Sequence, residues 1–370
     1  MNVDTLCFSQ ILEANNLYDL NYFFTRTAFV IAHKNERLET LLGVIWYLPI
    51  NSPILIVTNC PETEKEELAC ALTRQLQHRQ SYLIHQKDPA LAHFFAERGV
   101  QAILGSDGKI ASGKGEGMYI GALIARLLGY PEWIIFYDAD NFVPNALMEY
   151  TLAMSRLFME EYMTRSCETE KFHNVRICWS SKPALGCNCI TPGIAECCTQ
   201  VVSSIMTKLL AAWFDIEDRT IISANAGEQG FAMDTLQALR FSSGYSIETF
   251  QLLDLLAKAL LPATQLQPAH VILQQYQAQS PHFHEQRDTE HIKRLIAESL
   301  GSFYCFQELL PADIVQQLRQ TQYELSLQSC PPLVYPALRE LSLEKNERFV
   351  NHYRLFEDND TIDQEMDICS

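Results

Sequence analysis

No apolar run in this chain is long enough to cross a bilayer. The longest, such as LLGVIWYLPI (41–50), fall well short of the ~20 residues a spanning helix needs. The start, MNVDTLCFSQILEANNLYDL, lacks a basic segment and carries acidic residues early, so no secretory signal is expected and a cytoplasmic protein is. Positive charge is scarce: 28 Lys and Arg stand against 45 Asp and Glu, a formal net charge of −17. Six acidic and no basic residues fall within 357–370, and with those set aside the remainder still carries −11. Such a balance argues against nucleic acid or an anionic membrane as partner. A site for an anionic substrate must then be built locally, from a metal, helix N-termini and a few Lys or Arg. The acidic end itself reads as a solvated terminus. Glycine and proline are not enriched, and there is no internal repeat or low-complexity segment. With 48% hydrophobic and 20% charged residues over 370 positions, a sizeable core in one large or two smaller domains is expected.

Cysteine is not scarce. There are twelve, and with no secretory signal reduced thiols are the default. Cys187, Cys189, Cys197 and Cys198, in GCNCITPGIAECC, invite a zinc reading but lack paired Cys-x-x-Cys knuckles, so plain thiols are expected there too.

Short apolar runs alternate with helical patterns. TAFVIA (27–32), PILIVT (53–58), SYLIHQ (81–86) and WIIFYD (133–138) read as strands. RLETLLGVIWYL (37–48), residues 90–98 and GMYIGALIARLLGY (117–130) read as helices between them. The first twenty-odd residues read as a helical or irregular lead-in, and VQAIL (100–104) as a short extended piece. This alternation predicts a doubly wound, mostly parallel α/β sheet, whose ligands sit beyond the carboxyl ends of the strands. Four polar clusters fall at those ends: HKNE (33–36), TN (58–59), HQKD (85–88) and DAD (138–140). Beyond residue 150 a long helix (149–163), a strand VRICW (175–179) and a helix (194–214) are expected, then two further helices, the loop SPHFHEQRD (280–288) and a helical remainder. No composition break marks a sharp domain boundary; the chain divides into 1–150, 151–300 and a helical extension with the acidic tail over 301–370.

Asp138 and Asp140 stand where a buried strand opens into a loop. Residues i and i+2 of an extended segment point to one side, so both carboxylates can face one ligand. Two anionic oxygens suit a hard divalent cation that also takes phosphate oxygens, which suggests a nucleotide diphosphate. The alternative is that one Asp caps the following helix and the other is solvated. In SGKGEGM (112–118), Lys114 and glycine amides at a helix start form a candidate anion site. The P-loop pattern fails, because Gly115 stands where Ser or Thr should bind the metal. His282 and His284, in SPHFHE, are candidate imidazole ligands or plain loop polarity. Glu228, between glycines in NAGEQG, suits a carboxylate held near a ligand, or a turn before a helix.

Seven blocks in order, from HKNE through HQKDPALA, SGKGEGM, FYDADNFVPNALMEY, NAGEQGFAMD and SGYSIE to PHFHE, resemble the mannosyl-3-phosphoglycerate synthases, retaining GT-A glycosyltransferases. The resemblance spans roughly residues 28–300. It implies a GT-A-like nucleotide-sugar-binding sheet with a more helical acceptor region: residues 1–150 as the donor-binding half and 151–300 as the acceptor-binding and catalytic half. It also implies mannose transfer from GDP-mannose to the 2-hydroxyl of 3-phosphoglycerate, and a divalent cation: Mg²⁺ first, Mn²⁺ or Co²⁺ as alternatives. On this carry-over Asp140 ligates the cation, with His282 and then His284 as further ligands. Asp138 contacts the donor ribose or a metal-bound water. Lys34, Glu36, Gln86 and Lys87 handle the nucleotide, and Lys114 faces donor phosphate or acceptor. Gly113, Gly115, Arg176, Lys182 and Asn225 serve the acceptor, and Glu228 lies near the reacting hydroxyls. Two positions depart from the family: Ile194 stands where it has an arginine after the glycine at 193, and His33 where a small residue is commoner. A glucosyl-3-phosphoglycerate synthase, a glycerate-accepting mannosyltransferase and, from another class, a nucleotidyltransferase remain alternatives. The assembly is left open, with a homodimer carried as an expectation.

Overall fold

A computed structural model describes residues 1–7, 17–164, 171–179, 183–185, 190–191, 195–260, 270–285 and 288–356. Lys182, Cys187, Cys189, Gly193, Ile194 and the acidic tail, all singled out above, lie outside the described residues. The main strands are β1 (Asn2–Cys7), β2 (Thr27–His33), β3 (Ile54–Thr58), β4 (Ser81–His85), β5 (Trp133–Asp138), β6 (Lys171–Cys178), β7 (Gln229–Ala232) and β8 (His270–Gln277). They form one sheet in the order β1-β8-β6-β7-β5-β2-β3-β4. Every neighbouring pair is parallel except those of β7, which runs antiparallel to both β5 and β6. This is the α/β architecture expected, with strands from both halves of the chain in a single sheet.

The helices are α1 (Leu17–Thr25), α2 (Leu38–Trp46), α3 (Lys65–Gln75), α4 (Pro89–Glu97), α5 (Lys114–Leu128), α6 (Pro144–Met163), α7 (Ala195–Phe214), α8 (Met233–Ala238), α9 (Ile247–Leu260), α10 (Thr289–Tyr304), α11 (Ala312–Glu324) and α12 (Glu347–Asn351). The apolar runs are continuous because both faces of the sheet are covered. Ala28, Val30, Leu55, Val57, Ile134 and Phe136 pack to one side. Phe29, Ile31, Ile54, Ile56, Ile135 and Tyr137 pack to the other. Pro144 opens α6, where its missing N–H costs nothing.

Three elements differ from expectation. The lead-in contains an edge strand, β1, paired with β8. Residues 101–103 form a 3-10 turn rather than an extended piece. The third difference is β8, a central strand whose glutamines resemble surface. Gln275 is fully buried, and it accepts from the Ile222 amide and donates to the Thr220 carbonyl. A polar side chain thus serves as internal scaffold. No helix among the described residues is long and apolar enough to cross a membrane.

Candidate active site

Register brings the polar strand ends together. Asp138 pairs with Ala32, His33 with Thr58, and Thr58 with His85. The loops that follow open onto a cavity of about 300 Å³. Lys34, Glu36 and Gln86 line it beside Asp138 and Asp140. The Glu36 carboxylate accepts from the Lys34 amide at 2.6 Å, tying the HKNE loop. Gln86 donates to the carbonyls of Ala111 and Gly113, so it also pins the loop that leads into α5.

Asp140 and His282 are 142 residues apart but meet at 3.1 Å, carboxylate oxygen to Nε2. Their loops are zipped together: the Phe142 amide donates to the Phe283 carbonyl at 2.7 Å, and Asn141 Oδ1 accepts from the amides of Phe283 and Val143. Behind His282, Glu228 Oε1 lies 2.8 Å from Nδ1. That contact is off the line of a hydrogen bond, and among the described residues neither oxygen of fully buried Glu228 receives one. Glu228 does not line the cavity. It stands behind the imidazole instead of near the reacting hydroxyls, where it was expected.

This arrangement suits a cation. Both ring nitrogens of His282 face a carboxylate, Asp140 at Nε2 and Glu228 at Nδ1; with the proton kept on Nδ1 by the Glu228 charge, Nε2 would present its lone pair beside Asp140, the usual outer support of a metal-bound histidine. Among the described residues no group of three His, Cys, Asp or Glu is assembled as a cage. The three-residue shell of Asp140, His282 and His284 is therefore not preformed. His284 lines the cavity but points Nδ1 at the Glu285 carbonyl, 2.5 Å away. Two protein donors fit a Mg²⁺-like ion that takes its remaining oxygens from phosphate and water.

Lys114, in the first turn of α5, reaches both Asp138 at 2.5 Å and Glu248 at 2.6 Å. Burial pulls its pKa down, but the two carboxylates outweigh that and hold the ammonium well above the ordinary lysine value. Gly227 presses against this group, since a Cβ there would strike the Asp138 carboxylate and the Lys114 ammonium. Gly115 is needed for packing: a Cβ would enter the Ser242 carbonyl. Its neighbour Gly113 lines the cavity, as does Asn225, whose amide donates to Cys198 Sγ at 3.2 Å. Cys198 is a free thiol.

Two of the basic residues assigned to substrate lie elsewhere. The Lys87 ammonium is tied to the Ile110 carbonyl at 2.6 Å. Arg176 is fully buried in β6, and its guanidinium donates to the carbonyls of Ser223, Ala224 and Glu248 and to Gln229 Oε1. It is a strut between β6, β7 and α9, and no substrate reaches it. Burial lowers its pKa to about 10, so it stays charged at neutral pH. Replacing it by methionine strands several buried acceptors, so Arg176→Met should cost at least about 3 kcal/mol of stability in chemical denaturation. A loss under about 1 kcal/mol would contradict the strut assignment.

The sequence reading gave no role to Glu248, Tyr245, His291, Arg294 and Glu298, which also line the cavity. Glu248 and Tyr245 lie within SGYSIE, so that block marked the place without the role. The other three sit on α10, whose start was legible in Asp288, the N-cap that accepts from the His291 amide at 2.6 Å.

A paired-aspartate turn at the carboxyl end of a parallel strand, facing a cavity shaped by two further loops, fits a glycosyltransferase, and the family match shows the chain to be one. The model of the mannosyl-3-phosphoglycerate synthase family matches residues 7–350, and the chain belongs to that family. A mannosyl-3-phosphoglycerate synthase of Pyrococcus furiosus is 30% identical over 289 residues, covering 75% of this chain and 71% of the relative. One from Aeropyrum pernix is 27% identical over 317 residues, covering 83% and 79%. Among solved structures, glucosyl-3-phosphoglycerate synthase from Mycobacterium tuberculosis, in complex with Mn²⁺ and UDP-glucose, shares the fold. Its TM-score is 0.50 at 13% identity, covering 91% of this chain and 98% of that one.

Proposed function

We propose that this glycosyltransferase moves mannose from GDP-mannose to the 2-hydroxyl of 3-phosphoglycerate, with retention, releasing GDP and mannosyl-3-phosphoglycerate. Family membership supports the product, and the single structural observation that carries the reading is Asp140 at the cavity wall backed by fully buried His282 and Glu228. Asp140 and His282 hold a divalent cation, Mg²⁺ or else Mn²⁺ or Co²⁺. When bound, the cation offsets charge building on the leaving diphosphate.

Lys34, with Glu36 and Gln86, borders the nucleotide, and Asp138 faces the donor ribose. Lys114 holds Asp138 in place through their ion pair. Glu228 is walled behind His282, so it is not the nucleophile of a covalent intermediate. We take attack on the same face as the step: the bond from the anomeric carbon to diphosphate breaks, the acceptor oxygen bonds on the same face, and its proton passes to the leaving phosphate oxygen.

The test is nucleotide release with Mg²⁺, pairing GDP-mannose, GDP-glucose and UDP-glucose each with 3-phosphoglycerate and with glycerate. GDP release confined to GDP-mannose with 3-phosphoglycerate is the expected result. Release with another pair moves the substrate assignment, and silence from every pair refutes the reading.

A further inference from the structure

We propose that Arg294 and His291, on the cavity face of α10, hold the phosphate of the acceptor; this rests on the reading of the preceding subsection. The acceptor brings a carboxylate and a phosphate to a cavity whose wall already carries Glu36, Asp138, Asp140, Glu248 and Glu298. In so acidic a wall, a cationic side chain not already paired with a carboxylate is the group best placed to meet an incoming phosphate. Among the described residues that line the cavity, the cationic side chains are Lys34, Lys114 and Arg294. Lys114 is committed to two carboxylates at 2.5 and 2.6 Å. Lys34 follows β2, among the strand ends assigned to the nucleotide. Arg176 and Lys87 face protein carbonyls.

That leaves Arg294. The nearest carboxylate recorded for it, Glu298 Oε1, is 3.9 Å from Nε, the far edge of an ion pair, and Glu298 is already engaged by the Tyr245 amide at 2.6 Å. Arg294 Nη2 lies 3.1 Å from His291 Nδ1, and its guanidinium sits 5.7 Å from the Tyr245 ring centre. His291, Arg294 and Glu298 are spaced three and four residues apart, so they share one face of α10. A planar guanidinium presents two parallel N–H groups to a phosphate, which a lysine does not.

The experiment compares the wild type with Arg294→Gln and Arg294→Lys. In turnover with GDP-mannose, Arg294→Gln should raise the KM for 3-phosphoglycerate tenfold or more, with kcat changed less than threefold and the KM for GDP-mannose unmoved. Arg294→Lys should recover part of the loss. A KM for 3-phosphoglycerate within twofold of wild type, or an equal rise in the KM for GDP-mannose, overturns the proposal. Calorimetric titration with 3-phosphoglycerate separates the two readings. If the wild type binds it in an Arg294-dependent way but GDP-mannose gives no turnover, the donor reading falls and the phosphate site stands. If the wild type binds no 3-phosphoglycerate, the phosphate site falls.

Discussion

Asp140→Ala is expected to cut turnover by at least ~10³-fold while leaving the fold intact, because in the site we propose the cation would lose its carboxylate ligand. The side chain is 20% exposed at the cavity wall, so its removal opens no hole in the core. Binding should report the same loss: GDP affinity in Mg²⁺ drops toward the value measured in EDTA. Glu228→Gln should behave differently. It keeps the volume behind His282 but weakens the charge that orients the ring, so a fall of roughly 10–100-fold is expected, with the Mg²⁺ requirement shifted to higher concentration. Near-normal activity of Asp140→Ala in Mg²⁺ would remove the metal assignment. Were Glu228→Gln as damaging as Asp140→Ala, with no change in Mg²⁺ dependence, Glu228 would have to touch the reacting atoms after all.

The half of the site built on β2 to β5 was legible because those strands are covered on both faces. Their apolar runs are unbroken, their ends are marked by polar residues, and parallel pairing brings the ends into line. Direction was the hidden quantity. A sequence places Arg176 on a strand and Lys87 after one, but does not say that the first turns inward to carbonyls and the second to Ile110. Glu228 illustrates the same limit. Its burial follows from β7 inserting antiparallel between β5 and β6, a pairing over more than fifty residues that no local pattern announces. Arg294 and His291 were unread for another reason: on an amphipathic helix, charged residues ordinarily mean solvent, and only the docking of α10 turns this stripe to the cavity. The glycines of NAGEQG, by contrast, can be understood afterwards from contacts: the Asp138–Lys114 pair lies where a Gly227 side chain would be, and Phe158 lies where a Gly230 side chain would be.

Lys114→Met is the substitution expected to cost the most stability at this site, about 3 kcal/mol. Lys114 is 11% exposed, and Asp138 and Glu248 are 20% and 12% exposed, so the three charges are mostly withdrawn from water. Removing the central cation leaves two carboxylates that it had held at 2.5 and 2.6 Å facing one another across an apolar side chain. Breaking such a pair from one side is far more costly than replacing all of it, since the surviving charge remains desolvated. The cycle with Glu248→Gln follows. In the Lys114→Met background Glu248→Gln should be neutral or stabilising, because it removes a repulsion; in the wild-type background it should destabilise, because it removes an attraction. A coupling of about 1 kcal/mol or more in chemical denaturation is expected. Strict additivity would mean that Lys114 does not hold Glu248 in the folded protein, and the charge balance argued for the cavity would then fail with it.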